Sequence, residues 1–171
     1  MSTETIFQTQ LLLGYAVWLL CFGTYVLPWL KAMDRVAAHR VIATLHSTRF
    51  FGLVFIVPGV VGPGLPASFA IPAAYGDFAA GILAIAALLT VRIRPLFWLF
   101  VAAFNLVGAA DLILNYYHAT QVDLPALAGQ LGATYAIPIL LVPLLMITNL
   151  VALYWLVRPQ TKTALAGAAV S

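Results

Sequence analysis

Charge is scarce in this sequence. Only 8% of its 171 residues are Asp, Glu, Lys or Arg, against roughly a quarter in soluble domains. So few charges cannot clothe a water-facing surface, which excludes an ordinary soluble domain. The net charge of +3 forms no basic patch or arm of the kind that binds nucleic acid. Cysteine is limited to Cys21, which excludes an internal disulfide and any metal site built on cysteines. Three histidines remain. His39 and His46 lie on one segment, and His118 is expected at the opposite membrane face, so no pair can clamp one haem. The chain has no P-loop, no H-E-x-x-H and no G-x-S-x-G. It has no lipidation motif. Its start, Met1–Gln10, lacks the basic n-region of a signal peptide, so the first apolar stretch is expected to stay as a helix.

What the chain has is apolar length. It is 64% hydrophobic, with a mean hydropathy of +1.04. Stretches near Leu11–Leu30, Val41–Val61, Pro72–Val91, Pro95–Leu114 and Gly132–Val157 each approach the roughly 20 residues that a helix needs to cross a bilayer. The expected fold is a single all-α membrane domain over residues 1–171, a five-helix bundle. Five crossings gather Lys31, Arg35, Arg40, Arg49, Arg92, Arg94, Arg158 and Lys162 on one side. Basic residues in short loops stay cytoplasmic. The N-terminus is therefore expected outside, the C-terminus inside, in a bacterial-type inner membrane.

Prolines and glycines mark the irregular places. Pro58 should bend the second span, and Gly62–Pro63–Gly64 should end it. The loop Gly62–Ile71 is apolar despite its prolines, which fits a segment folded over the outer mouth of the bundle. The third span is a close-packing surface, with Gly76, Ala80 and Ala84 every fourth residue. Pro138 and Pro143 should bend or unwind the outer half of the fifth span.

Two polar clusters are expected inside the membrane, where charge is expensive. The outer one holds Asp77 and Asp111, at matched depth on helices joined by a tight turn. Asn115 and His118 follow Asp111 at i+4 and i+7, on one face. Tyr75, Tyr116, Tyr117 and Tyr135 lie at that level. Three roles fit this cluster: hydrogen-bonded glue between helices, a ligand site, or a metal site of Asp77, Asp111 and His118. The second cluster lies toward the cytoplasm and holds Arg49, His46 and Asn149, with Asn105 in reach. Here Arg49 either snorkels to the headgroups or binds an anion.

The leading expectation is a small membrane protein that binds a lipophilic or amphiphilic molecule. Its outer pocket would be oriented by Asp77, Asp111, Asn115, His118, Tyr75 and Tyr135, with Arg49 and Asn149 on the inner side. The alternatives are an accessory subunit of a larger membrane complex, a homo-oligomer, or an enzyme or transporter using Asp77 and Asp111. No pattern demands catalysis or names a cofactor. In size and span count the chain is similar to the translocator-protein family, which binds lipophiles. That family's tryptophan- and proline-rich loops have no counterpart here, so the resemblance carries no residue across.

Overall fold

The computed structural model describes residues 1–158; Lys162, counted above among the inner basic residues, lies outside them. Among the described residues the regular elements are all helices. In chain order they form α1 (Thr3–Lys31), α2 (Arg35–Ser47) with a 3-10 helix (Thr48–Ile56), α3 (Ala67–Leu89), α4 (Arg94–Gln121), a 3-10 helix (Ala128–Tyr135) and α5 (Ile137–Val157). Four of these, α1, α3, α4 and α5, are long and apolar enough to cross a membrane.

The second expected span is built differently from the others. It opens six residues early, where the Asp34 side chain caps α2 by accepting hydrogen bonds from the backbone N–H of Val36 and Ala37 at 2.9 and 3.0 Å. It then tightens from α into 3-10 at Thr48. Three residues per turn put every third side chain on one face. Arg49, Gly52 and Phe55 are accordingly the buried residues of that stretch, while Phe50 and Phe51 stack outward on one another.

Two prolines widen helices rather than breaking them. Pro143 has no N–H for the carbonyl four residues back, and its ring crowds that oxygen. A π-turn over Ile137–Leu141 absorbs the misfit. The released Ile139 carbonyl faces Gly14 of α1, where any Cβ would collide with it. Pro28 likewise follows a π-turn, Phe22–Val26. The expected unwinding of the last helix is therefore a single wide turn.

The loop after the 3-10 helix folds onto the bundle. The Gly62 N–H donates to the Gln130 carbonyl at 2.7 Å, and the Gly64 N–H to Gln130 Oε1 at 3.0 Å. Leu65 and Phe69 pack against a core of Phe7, Phe55, Leu124 and Leu131 at that end of the molecule. A second core, with Phe22, Leu30, Ile42, Phe97, Val101 and Phe104, fills the other end. Between the two cores lies a polar layer.

Candidate functional site

The polar layer is centred on Arg49. Its Nε donates to Asp77 Oδ1 at 2.7 Å and its Nη2 donates to Asp111 Oδ2 at 2.5 Å. Arg49 is only 1% exposed, so these ion pairs lie inside the bundle. One guanidinium thus ties the 3-10 helix to α3 and α4. The expected face of Asp77 and small residues does turn inward. On α3 the buried stripe runs Ala70, Ala73, Ala74, Asp77, Ala80, Gly81, Ala84 and Ala87. On α4 it runs Phe97, Val101, Phe104, Gly108 and Asp111, the i, i+3/i+4 spacing of a helix face.

Glycines make the room. A Cβ on Gly52 would strike the Asp77 side chain, one on Gly76 the Asp111 carboxylate, and one on Gly108 the Arg49 guanidinium. Each member of the triad therefore rests against a glycine of a neighbouring element, where only a hydrogen side chain fits.

This geometry overturns the separation into two clusters. Arg49 neither snorkels nor sits with the basic residues of the inner loops; it is the partner of both outer acids. Two shifts in the helices bring this about. α2 begins at Arg35, so Arg49 lies fourteen residues, or about 20 Å of helix, from its start. α3 begins at Ala67, so Asp77 stands near the middle of that helix rather than near its end.

Asn149 joins the same layer from α5. It is fully buried, and both it and Arg49 Nη1 abut Gly108. The Asn149 amide atoms and Arg49 Nη1 have no protein hydrogen-bond partner. Farther along, His46 Nε2 pairs with Thr148 Oγ1 at 3.0 Å, while His46 Nδ1 and Asn105 Oδ1 are left without protein partners. Asn115 donates through Nδ2 to Asp111 Oδ2 at 3.1 Å.

Three expected members stand apart. His118 is half-buried against the Tyr117 ring, two turns beyond Asp111. Among the described residues no three acids, histidines or cysteines converge as metal ligands, so the expected trio of Asp77, Asp111 and His118 is not assembled. Tyr75 is 58% exposed on the outside of the bundle. Tyr135 donates its hydroxyl to Gln10 Oε1 at 2.7 Å and packs edge-on against Phe7. The phenol that does reach the site is Tyr116, paired with the Tyr15 hydroxyl at 2.6 Å.

A cavity of about 350 Å³ opens beside the triad. Its walls are mainly apolar, with Phe7, Leu11, Phe69, Leu112 and Val142. Asp77 and Asn115 line it as well, and Asn115 Oδ1 has no protein partner. Apolar walls with a few convergent polar groups are the usual form of a small-molecule pocket. No curated protein and no solved structure matches this chain. A family model described as a domain of unknown function (DUF8737) matches residues 6–157, and the chain belongs to that family.

Proposed function

We propose that this protein is a small multi-pass membrane protein that holds an amphiphilic molecule between its helices. The apolar part of the ligand occupies the cavity, and its polar end meets Asp77 and Asn115. The observation that carries this reading is the cavity itself, an apolar chamber with one edge of a buried ion network in its lining. A pure structural tie would need no such chamber beside it.

The same proposal includes a fifth crossing. Thirteen α-helical and nine 3-10 residues, at about 1.5 and 2.0 Å each, reach farther than the roughly 30 Å of a hydrocarbon core. With five crossings the basic loops face the cytoplasm, the N-terminus lies outside, and the host is a bacterial-type inner membrane.

The accessory-subunit reading has one feature in its favour. The span window of α1 is only 11% buried, against 33–39% for the other three, which leaves room for a second chain on α1.

Native mass spectrometry of the protein released from mild detergent tests the binding reading. Wild type is expected to retain a small amphiphile. Ala119→Phe, which places a ring in the cavity, is expected to release it without loss of folded protein. Equal retention by both would remove the cavity as the site. A chain that is monodisperse only with a co-purified partner protein would put the subunit reading first.

A further inference from the structure

We infer that the polar end of the ligand is a monocation, an alkylammonium, which takes the place of a proton held between Asp77 and Asp111. This rests on the cavity being a binding site. Arg49 pairs with Asp77 and with Asp111, so one guanidinium faces two carboxylates. With all three ionised the network carries one uncompensated negative charge. An unpaired charge away from water is costly enough that the group neutralises instead.

Among the described residues the surroundings supply no second cation. From α1, Gln8 and the Tyr15 hydroxyl come near. α4 brings Asn115 and Tyr116, and the turn after it brings Asp123. α5 contributes Pro138 and Val142 to the cavity. His46, one turn before Arg49, is committed to Thr148. Among the described residues the cavity lining holds two carboxylates, Asp77 and Asp123, and no Lys or Arg. The charge is therefore balanced either by a proton shared between the two acids or by a cation that enters through the cavity.

The shape of the lining selects the kind of cation. A bare metal ion wants a shell of several oxygens, and no such group of acids converges here. An ammonium has three N–H donors and no acceptor. It meets the Asp77 carboxylate beside Asn115, while its tail lies along Phe7, Leu11 and Phe69. A carboxylate or phosphate head would face the like charge of Asp77. The exchange balances simply. The ammonium arrives with its positive charge, the O–H bond of the protonated carboxyl breaks, and one proton leaves to water. The reverse follows when the ligand departs.

Isothermal titration of the full-length protein in phosphatidylcholine nanodiscs tests this with octylammonium, octanol and octanoate, matched in chain length. Titrations in two buffers of different ionisation enthalpy count the protons. Octylammonium is expected to bind at least about tenfold more tightly than octanol and to release about one proton per ligand. Octanoate is expected to bind most weakly. In Asp77→Asn and Asp111→Asn the gap between amine and alcohol should narrow and the proton release vanish. Octanol binding as well as the amine, or an amine that binds without releasing a proton, overturns the exchange and leaves the cavity as a neutral binder. Failure of all three ligands to bind removes the binding reading as well.

Discussion

Arg49, Asp77 and Asp111 meet side chain to side chain and leave Arg49 Nη1 as their one buried unpartnered atom, whereas Asn105, His46 and Asn149, on the other side of Arg49, each keep atoms with no protein partner. Both groups are buried to a similar degree. The difference lies in what an unmet demand costs. A lone charge in the membrane interior costs several kcal/mol, so each ion must have its counter-ion fixed by the fold. A lone amide costs about 1–3 kcal/mol, which a bundle of this size can carry. The charged layer should therefore hold the helices together, and the amide layer should be far more forgiving.

The largest effect expected from that contrast belongs to Arg49. Arg49→Gln leaves two carboxylates facing each other, and loss of one partner from a buried ion network costs about 3–5 kcal/mol. The expected outcome is little or no monodisperse protein in detergent. Asp77→Asn and Asp111→Asn each leave a one-to-one pair and should keep the fold. Together they strand the guanidinium, so the double variant should lose about 2 kcal/mol more than the sum of the singles. Thermal unfolding in detergent reads the two single aspartate variants and the double, and additive singles would mean that the three residues do not act as one unit.

A smaller loss is expected at the glycines that seat the triad. Gly76→Ala drives a methyl group into the Asp111 carboxylate and should cost about 1–3 kcal/mol. Gly23→Ala is the matched control, because nothing lies within 4 Å of its added carbon. It should be neutral or gain up to about 1 kcal/mol from helix propensity. The comparison is spoiled if both behave alike in the unfolding measurement.

The smallest effect is expected in the amide layer. Asn149→Leu removes two polar atoms that have no protein partner, and the loss should stay under about 1 kcal/mol. A melting temperature that falls as far as in Gly76→Ala would show that Asn149 carries a demand as strict as the charges do.

Much of this arrangement was legible in the sequence. The apolar helices, the small-residue face of α3, the inward turn of Asp77 and Asp111, and an irregularity in the outer half of α5 all follow from composition and spacing. The role of Arg49 did not. Counting depth from Val41 at α-helical rise made it a residue of the inner half. The helix in fact begins at Arg35 and changes pitch at Thr48. A signal for that change was present: His46, Arg49, Gly52 and Phe55 recur every third residue, and all are buried. A period of three is the mark of a 3-10 face. His118 and Tyr75 misled for the opposite reason. Shared level along a helix axis says nothing of direction around it, and Tyr75 points out of the bundle.

The position of Arg49 in the chain also bears on how the protein is made. Its partners follow 28 and 62 residues later, so neither has reached the membrane when Arg49 does. In the proposed fifth crossing, a guanidinium alone at mid-membrane is opposed by about 2.5–3.5 kcal/mol on insertion scales until its counter-ions arrive. On that reading the crossing becomes favourable once α3 and α4 have brought both aspartates into the membrane. The proposed fifth crossing would then be settled after its successors, in a slot that they prepare.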